Sequence, residues 1–92
     1  MAFMASQAYF TYILYSQTLG RYYTGSAANL QDRLHRHNTR QCRATKAGAP
    51  WNLVYSESHT TRSSAMQREL YFKTGAGRDE LQRLIAEKQT SV

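Results

Sequence analysis

The stretch from Tyr12 to His37, YILYSQTLGRYYTGSAANLQDRLHRH, leaves this chain few ways to fold. Tyr9 to Ser16 (YFTYILYS) is dense in aromatic and β-branched residues, which suit a pleated, half-buried strand. Gln17 to Gly20 carries the turn, and Arg21 to Gly25 reads as the strand coming back. Gly25-Ser26-Ala27-Ala28 is a loop of small residues. Asn29 then offers a side-chain oxygen to cap a helix, and Asp32 places a negative charge in its first turn, where the helix dipole favours it. Leu30, Leu34 and His37 fall on one side of that helix, which should end near Asn38 or Thr39. Asp32 and Arg36 form an i,i+4 pair on its outer side.

The hairpin fixes a geometry. With an even number of loop residues, Ser16 faces Arg21, Leu14 faces Tyr23 and Tyr12 faces Gly25. Alternate residues share a face, so Tyr12 and Tyr23 become diagonal neighbours on one side of the sheet. Gly25 opposite Tyr12 is expected to leave room for a ligand near the backbone. An odd-length loop would put the two tyrosines on opposite faces.

Thr39 to Pro50 is polar, basic and irregular, a loop of about a dozen residues of the kind that is usually functional or mobile. Trp51 to Glu57 (WNLVYSE) alternates and reads as a third strand. Ser63 or Ser64 can cap a helix running to about Lys73, which Gly75 and Gly77 should break. A last helix is expected with Asp79 and Glu80 in its first turn and Leu81, Leu84 and Ile85 as its apolar stripe. The order is ββαβαα. The expected class is α+β: a three-stranded antiparallel sheet flanked by helices. Residues 1–7 read as a frayed start and residues 8–88 as one domain.

Ninety-two residues allow one domain and a thin core. The formal net charge is +6 and is unevenly placed. Arg21, Arg33, Arg36, Arg40, Arg43 and Lys46 stand against Asp32 alone in the first fifty residues, whereas the remainder is nearly balanced. Such a patch implies a polyanionic partner, nucleic acid first. Cys42 is the lone cysteine. An intramolecular disulfide is therefore excluded, zinc-ligand spacing is absent, and a reducing, cytoplasmic setting is expected. No apolar run reaches the roughly 18–20 residues of a membrane span, and the first residues lack the basic region of a signal peptide.

Taken together, these segments resemble the GIY-YIG nuclease superfamily, in a small, bacterial-type, single-domain form. Phe10-Thr11-Tyr12 stands at the first motif with the Tyr kept, and Tyr23-Thr24-Gly25 at the second with Thr for the usual Ile. NLQDRLHRHN (Asn29 to Asn38) is similar to the helix that follows, with Arg33 and His37 in the family's places. RSSAMQREL (Arg62 to Leu70) is similar to the helix that carries the family's metal-binding acid, which falls on Glu69. The likeness covers about residues 8–86. Each motif alone is weak, and their order and spacing make them specific. Several members carry a further polar residue, often Asn, after the acid. YFKTGAGRDE has none, which leaves Lys73 or Arg78 to serve, or the role unfilled.

The resemblance implies an endonuclease that hydrolyses the phosphodiester backbone of DNA, acting on structured, single-stranded or weakly selected substrates, with repair or recombination as its setting. It implies Mg²⁺, with Mn²⁺ able to substitute, held by Glu69 and several waters, since Mg²⁺ dehydrates reluctantly. Without the family, Glu69 is simply a helix residue spaced to pair with Lys73. Arg33 would clamp the scissile phosphate with its fork of donors. His37, one turn on, would orient a tyrosine, shuttle a proton or touch phosphate. Tyr12 and Tyr23 are candidates for the general base or for positioning water. A free phenol titrates near 10 and would need help from nearby cations. Arg36, Arg40, Arg43, Lys46 and Lys73 would track the nucleic-acid backbone. Trp51 is expected in the core rather than stacked on a base, and Tyr9, Tyr15, Tyr22, Tyr55 and Tyr71 are left to packing. Two rival readings differ in class: a catalytically weak nucleic-acid-binding module, and a nuclease subunit that needs a protein partner for targeting.

Overall fold

A computed structural model describes residues 8–90, with side chains to residue 88. The expected frayed start, residues 1–7, lies outside the described residues. The order is β1 (Tyr9–Ser16), β2 (Arg21–Ala27), α1 (Leu30–Asn38), a short 3-10 turn (Lys46–Gly48), β3 (Trp51–His59), α2 (Arg62–Phe72) and α3 (Gly75–Thr90). The three strands form one antiparallel sheet in the order β2-β1-β3. This is the α+β arrangement expected from the sequence.

The hairpin loop has four residues, and the register follows: Ser16 opposite Arg21, Leu14 opposite Tyr23, Tyr12 opposite Gly25. Gly20 takes φ +64°, a left-handed conformation that glycine adopts without a side-chain penalty. β1 is central and buried on both faces. Its even residues Tyr12 and Leu14 join Ala27, Ala49 and Trp51 in one core, against which Tyr23, Leu30 and Leu34 pack. Its odd residue Ile13 joins Phe72, Leu81 and Ile85 in the other. α1 therefore covers one face, and α2 with α3 the other.

β3 serves both cores because it is bulged. Leu14 pairs with Leu53 but Ile13 pairs with Tyr55, so Val54 is the extra residue. An extra residue reverses the parity of side chains along a strand. Trp51 thus faces the α1 side, and Tyr55, Glu57 and His59 face the α2 side. The expected simple alternation of WNLVYSE fails at that point. On the α2 side, Arg68 bonds Glu57 at 2.8 Å and Glu80 at 2.8 Å, tying β3, α2 and α3 together.

Helix ends also differ from expectation. α1 starts as expected, with the Asn29 side chain accepting from the Asp32 N–H at 2.9 Å. Its C-terminus closes with the N–H groups of Arg40 and Gln41 donating to the carbonyls of His37 and Arg36. That pattern places Arg40 at φ 62°. The cap of α2 is Thr61, whose Oγ1 accepts from the Ser64 N–H at 3.0 Å, rather than Ser63 or Ser64. Gly75 and Gly77 do not merely break a helix; they lie in the first turn of α3, which begins four residues before Asp79. A Cβ on Gly77 would lie 1.8 Å from the Tyr71 carbonyl oxygen, so glycine there permits the close crossing of α3 over the end of α2.

Candidate active site

On the α1 face, Tyr12, Tyr23 and His37 form one cluster. The Tyr12 and Tyr23 rings lie 6.5 Å apart, and His37 lies 5.8 Å from the first and 5.1 Å from the second. Tyr12 is 1% exposed and Tyr23 is half-buried. The room expected over Gly25 is not empty. The Tyr12 ring fills it, with its hydroxyl 2.6 Å from where a Cβ would sit. Gly25 therefore serves the close packing of a tyrosine, not the approach of a ligand.

A chain of polar contacts runs inward from Tyr12. Its hydroxyl is 2.9 Å from His37 Nε2, and His37 Nδ1 is 2.7 Å from Thr45 Oγ1. Thr45 Oγ1 in turn donates to the Cys42 carbonyl at 3.4 Å, a weak bond. One consistent assignment satisfies all three: Tyr12 O–H donates to Nε2, and Nδ1–H donates to Thr45. This needs a neutral imidazole, and burial, followed by the nearby Arg33 charge, does hold His37 below its ordinary pKa. Thr45 is itself 1% exposed and accepts the Trp51 Nε1–H at 2.8 Å through its carbonyl. Trp51 is in the core, as expected.

Burial is also the main reason the Tyr12 phenol is pushed up; Tyr23 adds to the rise, and the Arg33 guanidinium pulls the other way. Tyr23 is raised by burial and then by the Glu69 carboxylate, while Lys73 and Arg33 oppose. Arg33 thus acts electrostatically on Tyr12, Tyr23 and His37 together, which places its charge at the cluster. Neither phenol is prepared to ionise at neutral pH by the protein alone.

Glu69 approaches from α2, the other side of the sheet, at the outer edge of β2. Its Oε1 accepts from the Ser26 hydroxyl at 2.8 Å, and its Oε2 from the Lys73 ammonium at 2.9 Å. Its side chain is 21% exposed, against 49% for Lys73. The i,i+4 pair with Lys73 is therefore real, but Ser26 holds the carboxylate against β2. Among the described residues no group of three or more His, Cys, Asp or Glu is placed to hold a metal ion. One carboxylate beside a hydroxyl still suits Mg²⁺, which takes hard oxygen ligands and keeps several waters. Glu69 would hold such an ion, with Ser26 fixing the rotamer of the carboxylate.

The remaining expected cations are less central. Arg36 pairs with Asp32 at 3.2 Å, both half-exposed. Arg40, Arg43 and Lys46 are exposed on the loop that delivers Thr45 to His37. Tyr22 departs from its expected packing role: it is 53% exposed and tilts against Tyr15 at 4.8 Å. Sequence reasoning missed Ser26 and Thr45. Ser26 was recoverable, since it sits opposite Thr11 on the face that α2 covers. Thr45 had no local signal, because a loop fold decides its position.

Residues 8–81 match the family described as the GIY-YIG catalytic domain. The chain belongs to the GIY-YIG family. Similar proteins include the UPF0213 proteins of Staphylococcus aureus strains Mu3 and N315, each 38% identical over 82 residues, covering 88% of this chain and 98% of the relative. Those names state no activity. The solution NMR structure of the UPF0213 protein BH0048 from Bacillus halodurans has the same fold, with TM-score 0.52, 24% identity and 84% of each chain covered. Membership places this GIY-YIG chain in a family of nucleases, whose substrate is nucleic acid. Among the described residues no helix is long and apolar enough to cross a membrane.

Proposed function

We propose that the protein is a divalent-metal-dependent endonuclease that hydrolyses phosphodiester bonds in DNA. The observation that carries this reading is that the edge strand β2 carries Tyr23 of the Tyr12–His37–Tyr23 cluster, under the Arg33 charge, and Ser26, which holds the Glu69 carboxylate whose charge acts on Tyr23. Glu69 would hold Mg²⁺, which would supply positive charge against the negative charge that builds on the phosphoryl oxygens.

The chain's own residues divide the remaining work. Arg33 binds a non-bridging oxygen of the scissile phosphate. Tyr23 is the phenol at the reacting centre: it is more exposed than Tyr12, and its proton affinity responds to Glu69. Cations gathered for the reaction would offset the burial and the Glu69 charge that together raise Tyr23, so that it releases its own proton to solvent and, as the phenolate, positions the attacking water and accepts its proton. Tyr12 and His37 act behind it. Their bond fixes both rings, and the neutral imidazole, held uncharged by burial, accepts the Tyr12 hydroxyl and so keeps that phenol in place.

The test is cleavage of labelled single-stranded, duplex, flap and branched DNA, with Mg²⁺ or with EDTA, by wild type and Glu69→Ala. Metal-dependent cutting that falls at least about a hundredfold in the variant is expected, the scale of losing a main electrostatic element. Absence of cutting by folded protein, alongside salt-sensitive binding, would replace this reading with a binding module.

A further inference from the structure

A groove of about 580 Å³ opens beside the candidate site, between the outer edge of β2 and the junction of α2 with α3. Tyr23 and Lys73 are among its lining residues, and Lys73 joins it to Glu69 through their 2.9 Å bond. Phe72, Leu81 and Ile85 give it an apolar floor. Arg21, Arg78 and the half-exposed Tyr22 also line it.

The charge in this groove is one-sided. Three cations line it, and no carboxylate does. Lys73 already has Glu69 as a partner, but among the described residues neither Arg21 nor Arg78 forms an ion pair. The chain's other carboxylates with ion pairs, Asp32, Glu57 and Glu80, are engaged with Arg36 and Arg68 elsewhere. Two guanidinium groups without an ion pair among the described residues and an exposed aromatic ring along one groove form a recognisable chemical pattern. The guanidinium fork matches phosphate, and an aromatic face accepts a base of any identity. The volume suits a nucleotide-sized occupant with an apolar body and an anionic edge.

We infer that this groove seats one strand of the nucleic acid flanking the cut, with a base stacked on Tyr22 and backbone phosphates on Arg21 and Arg78. The inference rests on the nuclease reading for its orientation toward Glu69, but its binding chemistry stands apart from catalysis. It moves the main docking surface away from the loop cations Arg40, Arg43 and Lys46, where charge counting alone would put it. Lys73 sits where groove and candidate site join, so a phosphate arriving there competes with Glu69 for its ammonium and frees the carboxylate.

The experiment measures anisotropy of a fluorescein-labelled oligonucleotide in EDTA, over a series of salt concentrations, so that no cleavage enters. Wild type is compared with Arg21→Ala, Arg78→Ala, Tyr22→Ala, Tyr22→Leu and Arg83→Ala. Arg83 is an exposed cation of α3 outside the groove and controls for lost charge. Each groove arginine variant should flatten the salt slope by about one phosphate contact. Tyr22→Ala should weaken binding about five- to a hundredfold with the slope unchanged, the fold-change of one lost stacked base. Tyr22→Leu keeps apolar packing against Tyr15 and should bind as poorly as Tyr22→Ala, which separates stacking from folding. Arginine variants indistinguishable from Arg83→Ala, or Tyr22 variants that bind like wild type, would overturn the inference. If the groove variants weaken binding while wild type never cuts DNA with Mg²⁺, the groove stands and the nuclease reading falls. If wild type cuts and the groove variants bind normally, only the groove falls.

Discussion

Gly25→Ala is the sharpest test of how the cluster is built. The added Cβ would lie 2.6 Å from the Tyr12 hydroxyl oxygen, 2.7 Å from Tyr12 Cζ and 3.1 Å from Tyr23 Cε2. Favourable carbon contacts begin near about 3.5 Å, so the Tyr12 ring must retreat by something under about 1 Å. It has nowhere easy to go, since it is 1% exposed within a packed core. A shift of that size stretches its 2.9 Å bond to His37 Nε2 out of hydrogen-bonding range. Overpacking of this kind costs about 1–3 kcal/mol, and the lost bond adds about 1 kcal/mol. The sum, about 2–4 kcal/mol, corresponds to a fall in Tm of roughly 10–25 °C for a domain of this size. Thermal unfolding followed by circular dichroism measures it. The same substitution made in a Tyr12→Phe background should cost at least about 0.5 kcal/mol less, because the hydroxyl contact and the His37 bond are already gone. A Tm within about 4 °C of wild type, or full additivity in that cycle, would refute the claim that Gly25 exists to admit the Tyr12 ring.

Two further predictions use other parts of the chain. Arg40 occupies the left-handed position after α1 at φ 62°, where an L side chain is strained and glycine is not. Arg40→Gly should therefore stabilise the fold by up to about 1 kcal/mol, read as a higher urea midpoint, and an unchanged or lower midpoint would discredit the strain. His37 has its pKa depressed in the folded state, mainly by burial, so the unfolded chain binds the proton more readily. Its contribution to stability is complete above the unfolded value of about 6.5 and declines as pH falls below it. Urea midpoints between pH 5 and 8 should fall on the acid side in wild type and be flatter in His37→Gln. Parallel curves would show that His37 is not held neutral by the fold. Glu80, lowered by its bond to Arg68, acts in a separate window nearer its ordinary carboxylate range.

How much of this could be read in the sequence depended on whether a contact is set by register or by a loop. The Tyr12–Tyr23 pairing follows from a four-residue turn and a period of two, and the structure has that register. The Asn29 cap and the Arg33–His37 spacing are equally local. The bulge at Val54 was not legible, because the alternation of WNLVYSE continues in the residues while the parity reverses in space. The start of α3 was misplaced for a related reason. Gly75 and Gly77 read as breakers, yet Gly77 is demanded by the nearness of the Tyr71 carbonyl, a tertiary contact that overrides helix propensity. Thr45 lies in a loop that sequence could mark only as irregular, although its hydroxyl is the partner of His37 Nδ1.

The position of the candidate site follows from the two-sided core. α1 brings Arg33 and His37 to one face of the sheet, and α2 brings Glu69 to the other. A three-stranded sheet is thin but opaque, so groups from opposite faces can meet only around an edge. β2 supplies that edge, and its Ser26 and Tyr23 point one to each side. An open edge strand ordinarily invites unwanted pairing with another chain. Here the edge is bordered by Arg21, Lys73 and Arg78, whose like charges repel a second copy of the same basic surface and attract a polyanion. The feature that keeps the edge from pairing with itself is thus the one that directs it toward nucleic acid. Reversing both arginines, as Arg21→Glu with Arg78→Glu, should abolish strand binding while leaving Tm within a few degrees of wild type, since among the described residues neither side chain has an ion partner to lose. A large loss of stability in that variant would mean that the arginines hold the fold together rather than face a ligand.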